Sequence, residues 1–168
     1  VIRQKLSPEA HVQDEITDWV HWTNQQFKVQ RQPCSEFKEL FAGYFSEGFL
    51  TRSFYVVVDQ IPLPPKELLE EISLGGLFEQ QLAGLTLGDT YYLLPSAADN
   101  LRIHFHELVH VAQWQHLGVE GFLTRYINQL KSYGYDEMPL ERMAYELDAR
   151  YVAGGPVVQV LPMVQKLD

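Results

Sequence analysis

From Leu101 to Leu117 the chain contains neither Pro nor Gly, and Leu101, Phe105, Leu108, Val109 and Ala112 recur at the spacing of one helical face. A stretch so patterned forms a helix and lays that face on a core. Asp99 or Asn100 can cap its start, and Gly118 ends it. Inside it stands His106-Glu107-Leu108-Val109-His110. At about 3.6 residues per turn, positions i and i+4 share a face, so the two imidazoles can point at one tetrahedral ion with a carboxylate beside them. A carboxylate there can take the proton from a metal-bound water, so one motif supplies two ligands and a base.

The rest of the chain reads around this helix. Ser7-Pro8-Glu9 is an N-cap with Pro at the first helical position, and Val12, Ile16, Trp19 and Val20 carry a helix over about 8–28. Ser35 offers the cap of a second short helix bearing Phe37, Leu40, Phe41 and Tyr44, with Gly48 near its end. Phe54 to Val58 is aromatic and β-branched and stops at Pro62 to Pro65, the signature of a buried strand. Lys66 to Ile72 reads as helical and Thr90 to Leu94 as a second strand. A helix over about 119–132, the loop Tyr133 to Met138 and a helix from Pro139 to about Val152 follow, and Gly154-Gly155-Pro156 sets off a short apolar tail.

A chain of 168 residues, 46% hydrophobic, buries one good-sized core, so residues 1–168 read as one domain. Its 13 Lys and Arg stand against 22 Asp and Glu, a net charge of -9 with no basic stripe, which argues against nucleic acid or anionic membrane as partners. Cys34 is the one cysteine, so any metal must be held by His and carboxylates. No apolar stretch approaches the roughly 18 residues of a spanning helix, and no signal peptide stands out. The expectation leans to the cytoplasm, with the compartment otherwise open.

Two His do not complete a site, and three residues compete for the third position. His116 follows His110 by the metzincin spacing, but Gln113 stands where that pattern has Gly, so the helix continues. It carries His116 about 9 Å along the axis and roughly 100° off the ligand face. Glu141 and Glu146 lie about 140° apart on the last helix, so only one can face the metal. Arg142, Glu146 and Arg150 have the spacing of a solvated salt ladder, whereas Glu141 borders the apolar stripe of Leu140, Met143, Ala144, Leu147 and Tyr151. Asp148 shares the face of Glu141 two turns on, where a carboxylate can orient a ligating His; the plainer expectation is a surface carboxylate. His104, on the other side of the helix from the ligands, reads as a surface or capping residue.

His106-Glu107-Leu108-Val109-His110, followed 31 residues later by Glu141-Arg142-Met143-Ala144, resembles the gluzincin zinc metallopeptidases. Many members continue with Asp where this chain has Tyr145. The stretch from Leu101 to Ala149 also looks like small bacterial zincin-like domains. The resemblance covers the C-terminal half. It implies an α+β, zincin-like minimal metallopeptidase fold, mostly helical with a small sheet, binding Zn2+ through His106, His110 and Glu141.

The implied activity is peptide-bond hydrolysis, with Glu107 activating a metal-bound water and delivering its proton to the leaving amine. The oxyanion needs a further donor, for which Tyr133, Tyr135 and Tyr145 are candidates and Tyr135 is favoured. In zincins the strand before the motif helix is an edge that receives an extended peptide substrate; Asp89 to Leu94 stands in that place, and reads equally as a core strand. A further domain or partner could close the cleft. The alternative function is a zincin-like binding or scaffold domain without turnover.

Overall fold

The computed structural model describes residues 7–78 and 81–167. The fold is α+β: six α-helices and a four-stranded sheet among the described residues. Helix α1 (Pro8–Gln26) opens on Ser7, whose side chain accepts from the Ala10 N–H, and buries Val12, Ile16 and Val20. Strand β1 (Gln32–Pro33) leads into a 3-10 turn at Cys34–Phe37.

The helix expected to start at Ser35 is absent. After the 3-10 turn the chain runs on in turns, broken by Gly43 at positive φ, and Ser46 instead caps the short helix α2 (Glu47–Thr51). Gly48 therefore lies inside a helix rather than near the end of one. The aromatic spacing there serves a cluster: Phe37, Phe41, Tyr44, Phe45 and Phe49 are all buried together.

Strand β2 (Phe54–Val57) and helix α3 (Lys66–Glu71) fall where the pattern put them. Strands β3 (Gly84–Leu87) and β4 (Thr90–Leu93) form a hairpin through Gly88-Asp89, and the sheet order is β1-β2-β4-β3. Strand β4 is interior, parallel to β2 and antiparallel to β3, and all four of its residues are buried. Of the two readings of Asp89 to Leu94, edge or core strand, the core strand holds, and the edge beside the motif helix is β3. Alternation along β4 sends Tyr91 and Leu93 into one core cluster and Tyr92 into the other.

Helix α4 (Leu101–Tyr133) carries the motif and is capped by the Asn100 side chain, which accepts from the N–H groups of Arg102 and Ile103. Gly118, with φ 71 and ψ 167, divides it into two arms where the sequence places the break. Helix α5 (Pro139–Ala153) packs back on α4, and α6 (Val160–Val164) closes the chain by burying Val160 and Val164. Phe105 is the hub of this packing. It stacks on Tyr151 at 4.8 Å and meets Phe41 and Tyr44 edge-on, which fixes the facing surfaces of α4 and α5. No helix among the described residues is long and apolar enough to cross a membrane.

Candidate metal centre

The first arm of α4 turns His106 and His110 toward α5, whose first turn brings Glu141 to meet them; all three are buried. The Nε2 atoms of His106 and His110 lie 3.1 Å apart, and each is 3.3 Å from Oε2 of Glu141. The other ring nitrogens are engaged. His106 Nδ1–H donates to Asp148 Oδ2 at 2.9 Å, and His110 Nδ1–H donates to Gln113 Oε1 at 2.8 Å. Gln113 is oriented by its own amide, which donates to the Leu140 carbonyl at 3.0 Å. With each neutral ring donating from Nδ1, both Nε2 atoms present lone pairs.

When both rings are neutral, three acceptors converge on one point. Such a cluster could hold a cation. A tetrahedral zinc, with bonds of about 2.0–2.1 Å, sets its ligand atoms about 3.3 Å apart, which is the spacing seen here. The donor set of two imidazoles and one carboxylate fits that ion.

Electrostatics reflect the same crowding. Burial alone would pull the His106 imidazole down, but Asp148 and then Glu141 hold it up at about 10. Burial alone would raise the Glu141 carboxyl; His110, then His106, bring it well below the usual carboxylate range. These opposite shifts describe one coupled group in which protons and a metal compete for the same atoms.

Asp148 is buried at 2% exposure and is not the surface carboxylate expected of it. It accepts from His106 and, through Oδ1, from Arg102 Nε at 2.8 Å. The seven-residue offset from Glu141 puts both carboxylates on one side of His106, so Asp148 supplies the orienting contact despite Tyr145. Tyr145 instead lays its ring 4.6 Å from the ring of His106.

Glu107 is buried next to β3. Its Oε2 accepts from the Thr86 hydroxyl at 2.6 Å, and a Cβ on Gly84 would stand 2.8 Å from Oε1. Tyr135 shares a cavity wall with Glu107, His110 and Glu141, and burial, then Glu141, raises its phenol far above the ordinary value, so its hydroxyl keeps its proton. Tyr126 sits on that wall as well, its phenol also raised, first by burial.

Other residues fall elsewhere. His116 is outside the metal cluster, Glu146 is exposed and pairs with Arg142, and Tyr133 is exposed on the outer face of the second arm. His104 is a correction: it is 1% exposed rather than at the surface. Its Nε2–H donates to the Ala98 carbonyl, its Nδ1 accepts from Tyr91, and burial lowers its pKa. The rings of Phe37 and Tyr55 cover it, a tertiary cause that helical periodicity does not carry.

Sequence reasoning missed Gln113 as a partner of His110, Thr86 as a partner of Glu107, and Tyr126. Gln113 had a usable signal, because i+3 is within reach of a helical His. Thr86 and Tyr126 had none, since each reaches the site from a separate segment. No family model, no curated protein and no solved structure matches the chain.

Proposed function

We propose that the chain is a zinc-dependent peptide-bond hydrolase of the gluzincin type on a zincin-like fold. The observation that carries this reading is the convergence of three lone-pair atoms from His106, His110 and Glu141 at tetrahedral spacing, with Glu107 directly after His106 in the same turn. His106, His110 and Glu141 would hold the zinc, which would lower the pKa of a bound water and polarise the substrate carbonyl.

The chain's own residues supply the rest. Asp148 and Gln113 hold both ligand rings in the tautomer that frees Nε2. Glu107 accepts the water's proton and returns it to the leaving amine, and Thr86 holds its carboxylate in place. Tyr135, still protonated, donates to the developing oxyanion.

Strand β3 supports a peptide or protein as substrate. The Leu94 N–H bonds to the Ala83 carbonyl, so in this register the main-chain groups of Gly84 and Thr86 face the free edge, next to Glu107. An extended peptide can pair there. The zinc-reconstituted chain is expected to cleave a mixed peptide pool, and Glu107→Gln to lower kcat by about 10²- to 10⁴-fold with zinc content unchanged. Undiminished cleavage by that variant would remove Glu107 from the mechanism.

A further inference from the structure

Helix α5 starts without help from its own N-cap. Met138 makes no side-chain hydrogen bond there, and Pro139 at the first helical position has no N–H, so the first main-chain donor to satisfy is that of Leu140. Leu140 is fully buried, where an unpaired N–H is costly. Gln129, on the second arm of α4, supplies the acceptor: the Leu140 N–H donates to its Oε1 at 2.9 Å. The Leu140 carbonyl is held too, by the Gln113 amide at 3.0 Å from the first arm. One residue is thus clamped at both its polar main-chain atoms by glutamines from either side of Gly118.

The clamped residue directly precedes Glu141, whose Oε2 lies 3.3 Å from Nε2 of both His106 and His110. Gln113 also accepts from His110 Nδ1–H at 2.8 Å. A closed circuit runs from His110 through Gln113 and Leu140 to Glu141 and back, and Gln129 ties the second arm to it.

We infer that Gln129 is a positioning residue for the third metal ligand: by taking the Leu140 N–H it fixes the first turn of α5, and with it the direction from which Glu141 presents its carboxylate. This rests on the reading of Glu141 as a ligand and adds a control on it from beyond Gly118. Gln129 acts through the main chain. Ile127, Leu130, Met138 and Leu140 share one core cluster, so the second arm and the start of α5 already pack together. Apolar contact is non-directional, however, and neighbouring helical positions differ by about 100°, so a small rotation of the turn would swing Glu141 away from the two imidazoles. The hydrogen bond to Gln129 sets that rotation. The second arm also walls the apolar cavity that ends at Glu107, His110 and Glu141, with Phe122 and Ile127 among its lining residues. A displacement of this arm therefore reaches Glu141 through Gln129.

The test compares full-length Gln129→Met, which keeps the side-chain length and loses the acceptor, with Gln129→Glu, which keeps an acceptor oxygen at the same reach. Zinc affinity is read by competition with a chromogenic chelator, and the absorption spectrum of the cobalt-loaded chain reads the ligand geometry. Melting of the metal-free proteins reads stability separately. Gln129→Met is expected to weaken zinc binding about 10-fold and to alter the cobalt spectrum, and Gln129→Glu to keep both as in the wild type. Any zinc binding left in Glu141→Ala is expected to be no weaker when Gln129→Met is added, because the residue acts through Glu141. Should Gln129→Met fail to fold, Gln129→Asn, one methylene shorter, takes its place. Zinc affinity and cobalt spectrum unchanged without the acceptor, with only metal-free melting lowered, would overturn the role of Gln129, as would a further loss on the Glu141→Ala background. Wild-type zinc affinity in Glu141→Ala would overturn the reading of the site as well, whereas a loss in Glu141→Ala beside an unchanged Gln129→Met would sink the positioning role alone.

Discussion

Asp148 is where a single side chain governs the candidate metal centre most directly, because it holds the His106 ring from behind while pairing with Arg102. Asp148→Asn is expected to weaken zinc binding about 10- to 100-fold in a competition with a chromogenic chelator. Unchanged affinity would mean that packing alone orients His106. Gly84 acts on the base. The added Cβ of Gly84→Ala would lie 2.8 Å from Glu107 Oε1 and 2.9 Å from Leu93 Cδ2, so the carboxylate must move. A fall in kcat on the order of 10²-fold with zinc retained is expected. Cys34 is a third case. Burial pushes its thiol from 9.0 up to about 12, against a downward pull from the Tyr91 hydrogen bond and with a lesser push from Glu36. The folded chain thus holds this proton more tightly than the unfolded chain. Its contribution is intact below about pH 9 and is lost as pH rises from 9 toward 12. Urea unfolding at pH 10.5 is expected to show the wild type losing on the order of 2 kcal/mol that Cys34→Ala keeps, relative to pH 8. The meeting of His106, His110 and Glu141 is legible in the sequence because helical spacing decides most of it. The burial of Asp148 and His104 is not, since it depends on Arg102, Phe37 and Tyr55 arriving from other elements.

Among the elements, α1, α4 and α5 announce themselves by caps, Pro at the first helical position and apolar periodicity, and they fall within a few residues of expectation. Strand β3 does not. Gly84-Leu85-Thr86-Leu87 is short and opens on Gly, and it becomes a strand by pairing with β4 across the tight Gly88-Asp89 loop. The sequence pattern therefore offers only the more strongly patterned β4 in that place, as an edge or as a core strand, and not the strand that borders Glu107. At the scale of the element, Gly118 is decisive, since its positive φ separates the arm of α4 that carries His106 and His110 from the arm that walls the apolar cavity. No atom within 4 Å opposes a Cβ there, so Gly118→Ala incurs backbone strain alone. A loss of about 1–2 kcal/mol in chemical denaturation is expected, with zinc stoichiometry unchanged. A neutral substitution would show that the arms can join in another geometry.

For the whole molecule, the cluster of His106, His110 and Glu141 joins α4 to α5, and the two core clusters meet the sheet on opposite faces through Tyr91 and Tyr92. Any ion bound there stabilises the fold by linkage. Chelating zinc from a sample held at about 100 times the dissociation constant is expected to lower Tm by roughly 5–10 °C, read by calorimetry. The central claim, a zinc site completed by Glu141, is tested most directly by elemental analysis of the purified chain beside Glu141→Ala and His116→Ala after mild dialysis. About one zinc per chain is expected, lost on changing Glu141 and kept on changing His116. A chain that takes up no zinc even on reconstitution, or that keeps its full zinc without Glu141, would contradict it.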